Sequence, residues 1–464
     1  MINTGILFDF SQHADNVCMI DETGKKMTYR QLSELSDSLS IFFKPGILVL
    51  CLCSNSFPSI GGYVACIQNR SPVILVDCKK DISEYLNIYQ PNYIWAPIDD
   101  QRGLPSFTYG DYGLYSYSSE HIAIHEDLAL LLTTSGSTGS PKLVRLTEKN
   151  LASNASSIAE YLDIDSAERA ITSLPMHYSF VISVINSHFF KGATLLVTER
   201  SVIDREFWNF FRAHGGTSFA GVPYTYEMLK RFRFFRMNLD SLKTMIQAGG
   251  RLDPALVLEY AEFAKKEGKR FFVMYGQTEA APRISYLPFN EVINRPSSIG
   301  VAIPGGCLSL EDKNGNPIQA AEQEGELVYK GENVCMGYAT VQDDLRLGDE
   351  NNGVLHTGDL AKRDENGFYY ITGRLKRFVK IWGNRVNLDS MESLLKKDAI
   401  DCACVGSDNK IVIFVTTVGI EDDIVKFLSQ KTGFHKSVFE IKVIPEIPKA
   451  SSGKTLYSQL ELLK

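Results

Sequence analysis

Five short stretches carry side chains that could work on an anion. Residues 131–144 read LLTTSGSTGSPKLV. An apolar run gives way to Thr134, Ser135, Gly136, Ser137, Thr138 and Gly139, and then to Lys142. Successive backbone N–H groups, small hydroxyls and one ammonium can converge on a polyphosphate. On composition alone the same run is an equally good flexible linker. Its flanks favour the cradle: 128–133 reads as a buried strand, and the residues after Lys142 continue as a short strand, an N-cap at Thr147 and a helix. The spacing differs from GxxxxGK[ST], because only two residues separate Gly136 from Gly139 and the lysine does not follow directly.

The second stretch, YGQTEAAPR, follows a strand, at the end where α/β sheets generally bind ligands. Tyr275 and Gly276 begin it. Tyr275 offers a flat face for a nucleobase, Thr278 a hydroxyl and Glu279 a hard oxygen for Mg2+. Taken by itself, the string reads equally as an ordinary strand-to-helix turn with a solvated glutamate. Upstream, QAGGRL places Gly249, Gly250 and Arg251 in a turn that lets backbone approach a flat ligand, or simply precedes the helix opened by Asp253. HTGDL supplies Asp359, an aspartate that would often cap its own turn, and TGR supplies Arg374. The last stretch, IPKASSGKTLY, carries Lys454 in what would by default be a solvated segment.

Taken in order, these motifs resemble those of the adenylate-forming superfamily: acyl-CoA synthetases, peptide-synthetase adenylation domains and luciferases. The resemblance implies ATP and Mg2+ as cofactors, with residues 134–142 on the β- and γ-phosphates, Tyr275 on adenine and Glu279 on the metal. It gives Asp359 to the ribose and Arg374 to the nucleotide. Thr278 and Glu279 then act with Lys454, which follows charge from the carboxylate to the α-phosphate during adenylation. It further implies a hinge at Lys376 and a loop at Gly383 that reaches the thiol side, with CoA or carrier-protein phosphopantetheine as acceptor. The hinge departs from the usual Gly-Arg-x-Asp-Asp pattern by reading Gly373-Arg374-Leu375-Lys376-Arg377; Ser390 stands where Glu is common, and Tyr457 where Arg is common.

The segment LPMHYSFVISVINS resembles the family's acid pocket, with His177, Tyr178 and Phe180 as wall candidates; plain core packing explains each as well. Ser179 occupies a position where members that activate amino acids carry an acid. A buried ammonium without an anion is costly, so a small non-amino carboxylic acid is expected. The resulting expectation is an AMP-forming acyl-CoA ligase. A stand-alone enzyme that loads an acyl carrier protein is the alternative, and a non-catalytic nucleotide-binding regulator is a more distant one.

Elements of matching kind must position these motifs. Strand-like runs at 47–53, 73–76, 128–133, 194–197 and 271–275 alternate with helical stretches, the signature of α/β layers with parallel sheets. Asp253, Pro254 and Gly268 punctuate one helix. Beyond about residue 300, the turns IPGG, DKNGNP and DENG imply a β-rich subdomain. We therefore expect an α/β fold: a large N-terminal AMP-binding domain over 1–374, built of layered α/β subdomains plus a β-rich subdomain, a hinge at 375–376 and a small mobile α+β C-terminal lid domain over 377–464. Lys+Arg 48 against Asp+Glu 55 gives a net charge of -7, which disfavours nucleic acid as a partner. Nine scattered cysteines, the lack of a cationic-then-apolar start and apolar runs of only strand length predict a cytoplasmic protein without a membrane span.

Overall fold

The computed structural model describes residues 7–99, 102–133, 142–375, 377–382, 384–396, 400–407, 409–450 and 455–464. Two compact units divide the chain: Met1–Cys307 with Tyr329–Leu355, and Leu308–Val328 with His356–Lys464.

The first unit is built on two large sheets. In the eight-stranded sheet, Tyr93–Pro97, Val49–Cys53, Val73–Asp77 and Leu128–Thr133 lie side by side and parallel. Antiparallel strands complete its edges, with Leu143–Thr147 and then Gly337–Ala339 on one side. The nine-stranded sheet holds six parallel strands from Val17–Asp21 to Arg270–Gly276, and beyond the latter Arg283–Leu287 returns antiparallel. Strands buried on both faces read as continuous apolar runs such as VLCLC and LALLLT, the pattern of covered parallel sheets. One core cluster joins both sheets through the helices Phe57–Gln68, Glu148–Tyr161 and Ser179–Phe190. Phe57–Gln68 and Ser179–Phe190 are apolar on most sides, as helices enclosed by a core are.

The residues before about 120 contribute strands to both sheets, so they complete the scaffold. Two expected caps are present. Thr147 forms a capping box with Asn150, and the Asp253 carboxylate accepts from the Ala255 and Leu256 amides ahead of the helix Pro254–Lys266.

The second unit carries most of a four-stranded sheet, which includes Val354–Arg363 paired antiparallel with Tyr369–Arg374. It also holds the hairpin Phe378–Ile381 with Asn384–Asn387, and a three-stranded sheet whose central strand is Lys410–Val415. The helices Leu388–Lys396, Glu421–Thr432 and Tyr457–Leu462 belong to this unit, and much of it packs around a core of its own. Layered α/β, β-rich and α+β regions are thus all present, as the sequence predicts.

Candidate active site

The turn between Arg270–Gly276 and Arg283–Leu287 is tight, and Gly276 makes it so: a Cβ there would lie 1.9 Å from the Pro282 carbonyl oxygen. Beyond it Thr278–Ala280 forms a single 3-10 turn that presents Thr278 and Glu279. Tyr275 is half-buried at the strand end, and Gln277 Nε2 donates to its hydroxyl at 3.3 Å.

Two elements converge on this turn. The Thr278 and Ser179 hydroxyls are 3.1 Å apart, which ties the turn to the N-terminal end of the helix Ser179–Phe190. From the other side, the Tyr338 hydroxyl donates to Glu279 Oε1 at 2.8 Å. Lys142 Nζ sits 3.3 Å from the centroid of the same tyrosine ring. Burial and, after it, the Glu279 charge raise the Tyr338 phenol well above its ordinary value, so the hydroxyl stays protonated as a donor.

Sheet register accounts for the place of Tyr338. Gly337–Ala339 pairs with Leu143–Thr147 so that Tyr338 opposes Val144 and Gly337 opposes Arg145. Arg145, wholly buried, locks that edge. Its guanidinium donates to Tyr338 O at 3.0 Å, to Leu347 O, and to Glu350 Oε2 at 2.5 Å.

The Gly249–Gly250 turn is held by buried Gln247, whose amide donates to Gly250 O at 2.9 Å. Gly249 has φ +81°, which only glycine adopts without strain, and Arg251 beside it is exposed. His177 and Tyr178 pack edge to face, with ring centroids 4.6 Å apart, and Phe180 is buried two residues further on. Burial holds the His177 imidazole below its ordinary value, partly opposed by Asp77.

In the second unit, Asp359 and Arg374 face each other across the strand pair, with Nε 3.2 Å from Oδ1. Asp359 is 5% exposed, whereas the Arg374 side chain is 60% exposed and presents its guanidinium to solvent. The Asp359 amide donates to Thr357 Oγ1 at 3.1 Å. Arg377 is buried. Its guanidinium meets Asp389, Glu392 Oε1 at 2.8 Å and Cys404 O at 2.7 Å, and it stacks 3.6 Å from the Tyr457 ring centroid. The Tyr457 hydroxyl completes the cluster by donating to Glu392 Oε2 at 3.0 Å. Arg377 and Tyr457, two positions that depart from the family pattern, are therefore in contact.

Thr134, Ser135, Gly136, Ser137, Thr138, Gly139, Lys376, Gly383 and Lys454 lie outside the described residues. Tyr338 was not singled out from sequence: a Gly-Tyr pair after an apolar run has no chemical signature of its own, and Arg145 resembles any charged residue on an edge strand.

Comparison with known proteins bears on the family and the fold. The model of the family described as AMP-binding enzyme matches residues 70–339, more than half of the chain. The long-chain-fatty-acid–CoA ligase of Escherichia coli O6:H1 is 29% identical over 354 residues, 73% of this chain and 62% of that protein. The chain thus spans less than two thirds of that relative's length. The sulfoacetate–CoA ligase of Cupriavidus necator is 29% identical over 354 residues, 72% of this chain and 66% of that protein. Among solved structures, the O-succinylbenzoate coenzyme A synthetase of Bacillus subtilis in complex with AMP superposes with TM-score 0.79 at 19% identity, covering 97% of this chain and 96% of that one. ATP-bound MatB from Rhodopseudomonas palustris gives 0.77 at 19% identity, covering 98% and 97%. Motifs, fold and family match agree, and the chain belongs to the AMP-binding enzyme family.

Proposed function

We propose that the chain activates a small carboxylic acid with ATP and passes the acyl group to a thiol, as an AMP-forming acid–CoA ligase. The carboxylate attacks the α-phosphorus; a P–O bond forms to the acid, the bond to pyrophosphate breaks, and an acyl-adenylate remains. The thiolate of CoA then attacks the acyl carbon and AMP leaves. CoA is favoured as acceptor by the names of the relatives, and a holo-carrier protein is the acceptor to be tested beside it.

The observation that carries this reading is the Lys142–Tyr338–Glu279 contact set, which gathers a phosphate-loop lysine and a motif carboxylate at one tyrosine. Among the described residues no group of three or more His, Cys, Asp or Glu could hold a metal. One carboxylate suits Mg2+ shared with nucleotide phosphates, the usual mode for this ion. Glu279 is the proposed protein ligand, and the ion supplies charge neutralisation at the phosphates. Thr278 positions the α-phosphate side through its hydroxyl, and Lys142 pairs with the departing pyrophosphate. Asp359 and Arg374 hold the nucleoside, and Lys454 accompanies the developing charge. The proposed partition is a large domain over 1–374, a hinge at 375–376 and a mobile domain over 377–464, with Lys376 as pivot and Gly383 on the thiol side.

All nine cysteines are unbridged, which supports a reducing compartment and the cytoplasm as the proposed location. Among the described residues no helix is long and apolar enough to cross a membrane.

Pyrophosphate exchange across a carboxylic-acid panel, with hydroxylamine trapping of the adenylate, tests the first half-reaction. Following it with CoA or a holo-carrier protein separates the two acceptors. Lack of exchange with every acid would overturn the reading.

A further inference from the structure

Arg283 is a buried cation close to the Thr278–Glu279 turn, and none of the roles above uses it. It is 1% exposed and follows the turn directly, on Arg283–Leu287. Its Nε donates to Ser183 Oγ at 3.1 Å, and Nη1 lies 3.5 Å from the Tyr161 hydroxyl and against Met274 Sδ. The Phe180 ring covers its Cζ at 4.5 Å. Nη2 is buried with no hydrogen-bond partner.

Every one of these neighbours is neutral. Ser183 uses its own proton on Phe180 O at 2.7 Å and faces Arg283 as an acceptor. The Tyr161 phenol, pushed up by burial to about 12 against the opposing pull of Arg283, is not an anion near neutral pH. Among the described residues no carboxylate forms an ion pair with Arg283. Burial accordingly lowers the guanidinium below its ordinary value, although an arginine remains charged at any working pH. A buried charge without a counter-ion costs several kcal/mol, roughly, and a buried donor without an acceptor adds to that cost. Asn154, whose Nδ2 donates to Arg283 O at 3.1 Å, has its buried Oδ1 unpartnered too, and so does Ser157 Oγ one turn along the same helix. Three buried polar atoms without hydrogen-bond partners thus meet on adjoining elements.

The place of this cluster relates it to the acid. Ser179 touches Thr278, and Ser183 lies one turn deeper on the same helix, ~6 Å along its axis. Phe180 and Ser183, which touch Arg283, thus follow Ser179 within one turn of its contact with Thr278. Resting on the ligase reading, we infer that Arg283 is a specificity-determining residue whose guanidinium receives a second, anionic oxygen group on the substrate. The substrate class is then a short dicarboxylic or sulfo-carboxylic acid.

The test compares glutarate, adipate and 4-sulfobutanoate with hexanoate and heptanoate in pyrophosphate exchange, using the full chain and its Arg283→Met and Arg283→Lys variants. A thermal-shift measurement with each acid runs beside it. The wild type should favour the doubly acidic compounds in kcat/KM by about a hundredfold or more. Arg283→Met should invert that order, and Arg283→Lys, which keeps charge without the fork, should fall between. Methionine fills similar apolar volume, and the lysine variant provides a second reading if the methionine variant folds poorly. A wild-type preference for hexanoate, or an equal loss for every acid in Arg283→Met, would overturn the inference while leaving the ligase reading intact. Stabilisation by glutarate that depends on Arg283, with no exchange for any acid, would support the inference and sink the ligase reading.

Discussion

The Tyr338 hydroxyl donates to Glu279 Oε1 at 2.8 Å, while the Tyr338 ring carries Lys142 Nζ 3.3 Å from its centroid. One side chain therefore orients a carboxylate by its edge and a cation by its face. A hydrogen bond to a charged group contributes about 1.5–3 kcal/mol, whereas a lysine over an aromatic ring contributes about 0.5–2. Tyr338→Phe keeps the ring and removes the donor. It should lower pyrophosphate exchange by roughly ten- to a hundredfold and raise the Mg2+ concentration needed for half-maximal rate. Glu279→Gln should lose more. An unchanged Mg2+ dependence in Tyr338→Phe would show that the hydroxyl does not orient the metal carboxylate.

In the proposed first half-reaction the largest single effect falls to Lys454. Lys454→Ala should slow adenylation by about a hundredfold or more, on the scale of losing one preorganised donor. Thioester formation from a supplied acyl-adenylate should be spared. Equal losses in both half-reactions would point to a structural role.

Asp359 and Arg374 separate binding from stability. With the arginine 60% exposed, their ion pair contributes about 0–1 kcal/mol to folding. Asp359→Asn should therefore leave the unfolding midpoint nearly unchanged while raising KM for ATP about tenfold, on the scale of one charged hydrogen bond to the ribose. The paired measurements are ATP saturation and thermal unfolding. A large drop in midpoint with unaltered KM would contradict a nucleotide role.

How much of this was legible in sequence depended on the range of each contact. Thr147 and Asp253 announce their caps because the groups they satisfy lie two or three residues away. The motif turns are equally local, and the buried strands are visible as apolar runs. Tyr338 was invisible because its partner lies 59 residues away and the register of an edge strand brings the two together. Arg283 stood inside a quoted motif, yet its burial under Phe180 depends on a helix 100 residues earlier. The early strands carried no functional motif, and their role emerges only from sheet order.

His188 offers a pH-dependent test of the core. Its Nδ1 lies 2.8 Å from Val184 O, so that nitrogen carries the proton and donates, and the ring is 2% exposed. Burial lowers the imidazole below its ordinary value of 6.5, partly opposed by the Val184 bond. The folded state then binds fewer protons than the unfolded chain, so stability falls as pH drops below about 6.5. In urea unfolding from pH 7.5 to 5, His188→Gln should flatten this decline. An identical slope in wild type and variant would exclude His188 as its source.

The final prediction concerns Arg377 and Tyr457, where two departures from the family pattern meet. Arg377 is adjacent to the proposed pivot, and Tyr457 lies three residues beyond Lys454. Their contact at 3.6 Å, with Glu392 bonded to both, links the hinge end of the small domain to the anchor of the lysine segment. A half-buried cation–aromatic contact contributes about 1–2 kcal/mol, and a shared carboxylate couples its partners further. In a double-mutant cycle with Arg377→Met and Tyr457→Leu, the coupling energy for unfolding should reach about 1–3 kcal/mol. Tyr457→Phe keeps the ring and drops the bond to Glu392, so it should retain part of that coupling. If the cluster also positions Lys454, Tyr457→Leu should reduce kcat for adenylation without raising KM for ATP, and Tyr457→Phe should recover most of the loss. Additive effects of the two substitutions would mean that the contact carries no energy, and the hinge and the lysine segment would then be independent.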